Sequence, residues 1–399
     1  MGSTFDSLKQ REETLLCRTY GRYPLSVREA KGSRMWDHDG KEYIDLLTGI
    51  AVTSLGHCPD ELAEVIAAQA KKLIHVSNVF YQAEQLDLAE ALLATSHMTK
   101  AFFCNSGAEA NEASIKLARR YMQRVRNTDA HEIITLTGAF HGRTLATVAA
   151  TGQAKFQDGF APMPAGFRQV EWGDLDALRA AITPQTAGIL CEMVQGEGGI
   201  RPMTQDYAQG IQNLCREKGI LFMVDEVQTG MCRTGRFWAF QNYGLEPDII
   251  SCAKALANGL PMGAMMTTDE VAKGFVAGSH ATTFGAGALM SCVANKVVEI
   301  MQRDQLAQRA ATVGAKAMER FRDIGRKFPG TITEVRGLGL MIGIQLAFPG
   351  KDVWDALLAK GFVLNLTQDC VLRLLPALTI DEADLEAFAV ALEDVLAAR

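Results

Sequence analysis

Short apolar runs alternate with helical patterns through the middle of the chain, and this alternation restricts the possible fold more than any other feature. The apolar runs are Ala101–Cys104, Glu132–Thr137, Ala187–Met193, Gly219–Val224 and Asp248–Cys252. Ala108–Val125 and Asp206–Lys218 lie between them with helical spacing, and Asp206 is the expected N-cap of the second helix. Buried strands separated by helices indicate an α/β fold with a mostly parallel sheet covered by helices. Ligands bind such sheets beyond the carboxyl ends of the strands, so functional residues should directly follow these runs.

The two ends of the chain have a different pattern. The N-terminal part has turn signals at Trp36–Gly40 and one short strand, Tyr43–Leu46. From about residue 290 a long helical stretch runs to Phe328. It is followed by strands near Gly337, Phe362 and Leu372, a helix at Lys351–Lys360 and a final helix from Asp381. We therefore expect a large domain over 56–290 and a smaller α+β domain formed by both chain ends, 1–55 and 291–399.

Composition excludes several classes of protein. The chain has 399 residues, of which 48% are hydrophobic, and a net charge of −6, which argues against a general nucleic-acid binder. No apolar stretch approaches the ~20 residues that cross a bilayer, and the first residues lack the order of a secretory signal. The nine cysteines form no Cys-x-x-Cys pair and mostly lie in apolar runs. We expect a cytoplasmic protein with reduced thiols, no membrane contact and no metal site.

Two motifs directly follow apolar runs. Asn105–Asn111 places a glycine at the start of a helix, where backbone N–H groups can hold a phosphate. Ser106 and Glu109 have the spacing of a capping box, so this motif taken alone favours an ordinary helix start over a phosphate site. Asp225 ends the buried run before Glu226, Val227 and Gln228, and a carboxylate there needs a partner. That partner could be a metal, a protonated pyridine nitrogen or the backbone of a following turn.

Lys254 is the lone lysine of the apolar segment between Ile249 and Leu260. Burial would lower its pKa and make it a nucleophile able to form a Schiff base. The alternative is a lysine whose amine reaches solvent along an apolar stem.

The remaining candidates are ring-stacking, carboxylate-binding or hydroxyl side chains. Phe140 and Arg143 lie in one motif, and Glu197 lies in a glycine-rich turn. Thr282 and Thr283 offer hydroxyls in a loop, and Arg373 needs an anionic partner if it points inward. Together, a phosphate cradle, an aspartate for a ring nitrogen, a lysine for an aldehyde and two arginines for carboxylates match the requirements of pyridoxal 5'-phosphate chemistry.

The same segments resemble the class III, fold-type I aminotransferases. The resemblance is carried by NSGAEANEASIKLAR, FHGRT, QGEGG, MVDEVQTGMCRTGRFWAFQNYGLEPDII, AKALANGLPMGAMM and ATTFGAG. It implies a pyridoxal-phosphate enzyme in which Lys254 forms the Schiff base and Asp225 pairs with the pyridine nitrogen. The rest of the implied cofactor site is Val227 and Phe140 on the two ring faces, Gln228 near the ring hydroxyl, Glu226 as a further cofactor-binding residue, Ser106, Gly107 and Ala108 at the phosphate, and Thr283 reaching the neighbouring subunit's phosphate. The last contact implies a homodimer with active sites shared across the interface.

Within that family, the motifs look most like those of the acetylornithine aminotransferases. This resemblance implies that the δ-amino group of N2-acetyl-L-ornithine passes to 2-oxoglutarate by ping-pong chemistry, in arginine biosynthesis. Arg143 would bind the α-carboxylate of acetylornithine, and Thr282 would contact it from across the dimer. Arg373 would bind the α-carboxylate of 2-oxoglutarate, with Glu197 as its switchable partner.

Several other activities remain open. Ornithine δ-aminotransferases, 4-aminobutyrate aminotransferases and the enzymes acting on succinylornithine or succinyl-diaminopimelate share the core motifs. Enzymes acting on free ornithine tend to carry a tyrosine where Ile50 aligns, so an apolar Ile50 favours an acylated amine. A dehydrogenase is disfavoured because no Gly-x-Gly-x-x-Gly follows an early strand. A non-catalytic scaffold would have lost Lys254 or Asp225.

Overall fold

A computed structural model describes residues 4–399 of the chain. Its strands, in chain order, are β1 (Val27–Lys31), β2 (Arg34–Asp37), β3 (Glu42–Asp45), β4 (Lys100–Cys104), β5 (Glu132–Leu136), β6 (Phe167–Val170), β7 (Thr186–Cys191), β8 (Val194–Gln195), β9 (Arg201–Pro202), β10 (Leu221–Asp225), β11 (Ile249–Cys252), β12 (Gly263–Thr267), β13 (Ile332–Leu338), β14 (Met341–Leu346), β15 (Phe362–Val363), β16 (Asn365–Thr367) and β17 (Val371–Leu374). Four of the five predicted central runs thus become strands of nearly the expected length, and the fifth begins two residues late because Gly219 ends the preceding helix.

The helices surround these strands. In chain order they are α1 (Thr4–Leu15), α2 (Thr48–Ala51), α3 (Asp60–Lys72), α4 (Ala83–Leu93), α5 (Gly107–Arg124), α6 (Leu145–Ala150), α7 (Leu175–Ala181), α8 (Gln205–Lys218), α9 (Asp269–Ala272), α10 (Ala288–Arg303), α11 (Leu306–Lys327), α12 (Lys351–Ala359) and α13 (Glu382–Ala397). Short 3₁₀ turns lie at Ala154–Phe156, Ala239–Tyr243 and Lys254–Ala257.

A seven-stranded sheet forms the centre of the molecule, in the order β4-β12-β11-β10-β7-β5-β6. Six of its strands run in one direction, and β12 alone is antiparallel to both of its neighbours. The sheet is therefore mostly parallel, as predicted. The central strands β7, β10 and β11 are buried at every position, because helices cover both faces.

The two ends of the chain share a second sheet. Its order is β1-β2-β3-β15, and β15 pairs in parallel with β3 although the two strands are far apart in sequence. A third sheet, β13-β14-β17-β16, is antiparallel and carries Arg373 on β17. The expected boundaries at 55/56 and 290/291 stay predictions.

Two local expectations are wrong. Asp206 is not the N-cap of α8, because the hydroxyl of Thr204 accepts the N–H of Tyr207 and the helix begins at Gln205. The long helix predicted up to Phe328 is two helices, α10 and α11. Gln305 lies between them with φ of +51°, a left-handed conformation that interrupts a helix.

All nine cysteines are free thiols. Five are buried, two are half-buried, and Cys17 and Cys58 are exposed. Burial raises the pKa of Cys104 and of Cys232 to about 12, so these thiols stay protonated and pack as small apolar groups. Within residues 4–399, no helix combines the length and the apolar character that a membrane crossing requires.

Candidate active site

A cavity of about 380 Å³ opens at the carboxyl edge of the seven-stranded sheet. The segments that follow β4, β5, β7, β10 and β11 all contribute to its wall, as the position of a ligand site in a parallel sheet requires. The predicted site residues that line it are Ser106, Gly107, Ala108, Phe140, Arg143, Glu197, Asp225, Val227, Gln228 and Lys254. The fold therefore brings together ten residues that the chain spreads over about 150 positions.

The first wall of the cavity is the start of α5. Ser106 caps the helix, and its hydroxyl accepts the N–H of Glu109 at 3.2 Å. Glu109 in turn accepts the N–H of Asn105 at 2.7 Å, one residue before the usual capping-box partner. A Cβ added to Gly107 would lie 2.6 Å from Cγ1 of Val227, so only glycine lets the helix start approach the floor of the cavity so closely. The free N–H groups and the helix dipole there suit a phosphate.

Asp225, at the end of β10, lies on the cavity floor and is held by three donors. Its Oδ2 lies 2.7 Å from Nδ2 of Asn111 and 2.8 Å from Nδ1 of His141, and its Oδ1 accepts the N–H of Val227 at 2.9 Å. Ser251, on the neighbouring strand, donates to Oδ1 of Asn111 at 2.6 Å and thereby orients the amide. These bonds use both oxygens and hold the carboxylate in one orientation, in which it can pair with a protonated ring nitrogen opposite it.

His141 and Asn111 are functional candidates that the sequence analysis missed. Burial alone lowers the pKa of His141, but its hydrogen bond and charge attraction to Asp225 outweigh this and raise the pKa above the usual value. The raised pKa favours the positively charged form of His141 beside Asp225. Both residues lie inside motifs already singled out, FHGRT and Asn105–Asn111. Asn111 is buried in α5 and His141 is buried in the loop after β5, and polar residues of this kind inside these two motifs were the available signal.

Lys254 follows β11 and faces the cavity. It has φ of +41°, which is uncommon for a residue with a side chain and occurs preferentially at active sites. Within residues 4–399, its amine makes no hydrogen bond or salt bridge. Burial lowers its pKa, with a smaller contribution from Arg373, and the nearby carboxylates oppose this. A lowered pKa favours the neutral, nucleophilic amine.

Arg373 and Glu197 form an ion pair next to the cavity. Nη1 of Arg373 donates to Oε1 of Glu197 at 2.6 Å, and the arginine side chain is 1% exposed. Burial raises the pKa of Glu197, but the attraction and the hydrogen bond of Arg373 outweigh it and lower the pKa below the usual value. Nε of Arg373 is buried and has no partner among the described residues. The guanidinium therefore keeps a free donor, although one of its ends is masked.

Arg143 is the second guanidinium of the site, and it is open. It stacks over the rings of Phe156 and Phe140, at 4.2 and 5.5 Å from their centroids. No carboxylate or carbonyl of residues 4–399 binds it, so it is free to bind a carboxylate from solution.

Comparisons with known proteins agree on the family. A model of the class-III aminotransferases matches residues 16–396. The chain belongs to the class-III aminotransferases. Curated acetylornithine aminotransferases of Methanocaldococcus jannaschii and Myxococcus xanthus are 46% and 44% identical to it, over 94% and 96% of both chains. The solved ornithine aminotransferase of Toxoplasma gondii ME49 has a TM-score of 0.95 at 29% identity and covers all of this chain and 96% of its own. The solved acetylornithine aminotransferase of Elizabethkingia anophelis has a TM-score of 0.89 at 26% identity, with both chains fully covered.

The cavity of this aminotransferase fits pyridoxal phosphate. Phe140 and Val227 both line it, and the carbonyl oxygen of the Gln228 side chain is buried without a partner in the described chain. An aromatic ring carrying a hydroxyl would satisfy that oxygen. Among the described residues, no three histidine, cysteine, aspartate or glutamate side chains gather as a metal ion requires.

Four of the predicted site residues lie outside the cavity wall. Glu226 points away from it, because its carboxylate accepts the hydroxyl of Thr229 at 2.5 Å and the N–H of Phe240 at 2.9 Å. Burial raises the pKa of Glu226 to about 7. Its carboxylate therefore supports the loop after β10 rather than a ligand. The others are Thr282, Thr283 and Arg373.

Thr282 and Thr283 line a separate cavity on the surface beside Phe102 and Val79. Thr283 is exposed, which suits a residue that acts on another subunit. Ile50 packs against the small apolar cluster that contains Val194 and Ile200, and it does not line the active-site cavity, where Val52 lies. The predicted role of an apolar Ile50 in substrate choice is therefore not supported by a contact within this chain.

Proposed function

We propose that this chain binds pyridoxal 5'-phosphate and transfers the δ-amino group of N2-acetyl-L-ornithine to 2-oxoglutarate, giving N-acetyl-L-glutamate 5-semialdehyde and L-glutamate. The observation that carries the proposal is the pair of unequal arginines: Arg143 is free, and Arg373 is masked by Glu197. One cavity then serves two substrates whose carboxylates lie at different distances from the reacting carbon. The names of the curated relatives, at 41–46% identity, support the same substrate.

Bound pyridoxal phosphate supplies an electron sink for the carbanion that forms when the substrate loses a proton. Lys254 provides the base: its amine would remove the proton from the substrate carbon that carries the nitrogen and deliver it to C4′ of the cofactor, the carbon on the other side of that nitrogen. Asp225 holds the proton on the ring nitrogen, and His141 and Asn111 hold Asp225. Gln228 offers its free carbonyl oxygen to the ring hydroxyl.

Substrate binding divides between the arginines. Acetylornithine reacts at its δ-amine, so its α-carboxylate lies far from the reacting carbon and meets Arg143. 2-Oxoglutarate reacts at its α-carbon, so its α-carboxylate lies close by and meets Arg373. Glu197 must leave Arg373 for the second substrate and return for the first. Each exchange replaces one charge-assisted carboxylate contact with another.

We further propose a homodimer in the cytoplasm. Several large apolar side chains near Thr283 are exposed in a single chain, and such patches are typical of subunit interfaces. They are Ile74, Val79, Phe80, Tyr81, Leu86 and Phe284. A second copy would cover them and bring Thr282 and Thr283 to the neighbouring site. Free thiols stay reduced in the cytoplasm.

Single-turnover measurements on a panel of amines test the proposal. The aminated cofactor forms when purified enzyme meets acetylornithine, ornithine, 4-aminobutyrate, succinylornithine or succinyl-diaminopimelate, and its absorbance reports each rate. We expect acetylornithine to give a larger ratio of rate to dissociation constant than ornithine or 4-aminobutyrate. A preference for free ornithine would instead assign the activity that the Toxoplasma structure's name describes.

A further inference from the structure

The backbone of Glu197 is fastened to the sheet that carries its partner. Its carbonyl oxygen accepts two hydrogen bonds: from Oγ1 of Thr367 at 3.1 Å and from Nε2 of Gln368 at 2.7 Å. Thr367 ends β16, and β16 pairs with β17, where Asn365 lies opposite Arg373. One sheet thus holds both members of the Arg373–Glu197 pair.

The rest of the glycine-rich turn around Glu197, residues 196–199, is also constrained by its neighbours. Arg336, on β13 of the same sheet, donates to the carbonyl oxygens of Gly199 and Ile200, each at 2.7 Å. On the other side, a Cβ on Gly196 would lie 2.4 Å from Oε1 of Gln228, and one on Gly198 would lie 2.7 Å from Oε1 of Gln195. Both glycines thus lie in close contact with neighbouring side chains, which leaves this part of the turn little free space.

The side chain of Glu197 is constrained far less than its backbone. Within the described residues, its carboxylate has one hydrogen-bond partner, Nη1 of Arg373. A fixed backbone lowers the conformational entropy that this single bond must overcome, because only side-chain torsions remain to be ordered. A mobile backbone would weaken the ion pair without removing either charge.

We propose that Thr367 and Gln368 are positioning residues that fix the Glu197 carbonyl, so that Arg373 is masked and unmasked by rotation of the Glu197 side chain alone. They thereby set how strongly the resting enzyme resists five-carbon dicarboxylates before the amine has reacted. The identity of the competing substrates rests on the proposed function, whereas the masking of Arg373 does not.

Glutarate, a dicarboxylate without an amino or oxo group, is the probe. It competes with Glu197 for Nη1 of Arg373, and it undergoes no transamination. Calorimetric titration of the purified, cofactor-loaded enzyme should show glutarate binding about three- to tenfold more tightly to a Thr367→Val/Gln368→Leu variant. Thr333→Val is the matched control, because its hydroxyl donates to the Gln345 carbonyl elsewhere in the same sheet. It should leave glutarate affinity unchanged.

A double-mutant cycle separates positioning from general loosening of the cavity. In a Glu197→Ala background no carboxylate masks Arg373, so Thr367→Val/Gln368→Leu should have no further effect on glutarate affinity. An equal gain in affinity with and without Glu197, or no gain with Glu197 present, would overturn the proposal. Thr367→Ser keeps the hydroxyl and should bind glutarate as the wild type does. If the double variant fails to fold, the single variant Gln368→Leu, at an exposed position, tests the same proposal.

The two proposals fail in different ways. If acetylornithine is not a substrate, the half-reaction panel fails while glutarate binding still reports the Arg373–Glu197 pair. If acetylornithine reacts and the glutarate cycle shows no coupling, only the positioning role is lost.

Discussion

Asp225 and Glu197 are two carboxylates on the same cavity, and their surroundings differ. Asp225 accepts hydrogen bonds from α5, from the loop after β5 and from its own following turn, so three separate elements fix the position of its carboxylate. The carboxylate of Glu197 has one donor, on a side chain from another sheet. The first network keeps one charge in one place through a reaction cycle. The second allows a carboxylate from solution to take the place of the resident one.

The comparison shows that backbone and side chain need not be equally rigid in a switch. Glu197 combines a backbone fastened at its carbonyl with a side chain held by one bond. Asp225 has its side chain fixed as firmly as its strand. Removing the charge of Asp225 should therefore lower the rate of the reaction. Removing Glu197 should instead change which substrates the enzyme prefers.

The largest effect is expected at Lys254, which lines the same cavity as both carboxylates and is the proposed base. Lys254→Ala should slow each half-reaction by about 10²–10⁴-fold or more, because the proton transfer loses its base. Borohydride reduction of the wild-type enzyme, followed by peptide mass mapping, should place the pyridoxyl group on Lys254. Lys100→Ala, at an exposed lysine on β4, is the control and should keep full activity. A pyridoxyl group on another lysine would contradict the assignment.

Asp225→Asn tests the rigid member of the comparison. The amide keeps the shape but loses the charge opposite the ring nitrogen, and breaking a buried charge pair costs about 3–5 kcal/mol, or about 150- to 5,000-fold in rate. Stopped-flow spectra should show both half-reactions slowed alike, and cofactor affinity should fall. Asp248→Asn provides a half-buried control carboxylate that does not line the cavity. Near-normal turnover in Asp225→Asn would reduce Asp225 to a structural residue.

Arg373→Ala and Arg143→Ala test the switchable member. A charge-assisted guanidinium–carboxylate contact contributes about 1.5–3 kcal/mol, so Arg373→Ala should slow the 2-oxoglutarate half-reaction about ten- to hundredfold more than the acetylornithine one. Arg143→Ala should weaken acetylornithine binding most. Glu197→Ala should make L-glutamate a better competitor of acetylornithine. Equal slowing of both half-reactions by Arg373→Ala would remove the distinction between fixed and switchable contacts.

The smallest effect is expected at Glu192, and it is an effect on the pH dependence of stability. This carboxylate lies between the two that are compared. It accepts N–H groups from Phe140 at 3.1 Å and Gly196 at 3.3 Å, and so joins the loop next to Asp225 to the turn of Glu197. Burial raises its pKa to about 7. Because the folded pKa lies above the unfolded one, the stability that the neutral form contributes is lost as pH rises from about 4.5 toward 7.

Glu192→Gln removes that titration. The thermal unfolding temperature of the variant, relative to the wild type, should therefore rise by a few degrees between pH 5 and pH 8. Glu171→Gln, at an exposed glutamate, should show no such trend. A constant difference across this pH range would mean that Glu192 does not titrate there.

The sequence predicted the parts of the site that follow from strand direction. Asp225 and Lys254 stand directly after apolar runs, and a parallel sheet brings such positions to one edge. His141 and Asn111 were missed because a lone buried histidine or amide has no periodicity that distinguishes catalysis from packing. The contact of Thr367 with Glu197 spans 170 residues and depends on the placement of a third sheet. No local pattern records such a contact.

Local errors have physical causes as well. Thr204 and Asp206 are both good N-caps two residues apart, and the choice between them is made by the turn before α8. The break between α10 and α11 could not be predicted, because the residues there, Arg303, Asp304 and Gln305, include neither glycine nor proline. Asn258 has a positive φ of +46° as well, and its side chain is held in place: its Oδ1 accepts the N–H of Leu55 and its Nδ2 donates to the carbonyl oxygen of Gly56.

The pairing of β15 with β3 has a consequence for how the chain is made. More than 300 residues separate the two strands, so β1, β2 and β3 leave the ribosome long before their edge is covered. Chains emerge at about 5–20 residues per second, so this edge stays open for tens of seconds. During that time it is a surface for pairing with other nascent chains and a target for chaperones. Substitutions in β15 should therefore lower the yield of soluble protein more than they lower the activity of the molecules that mature.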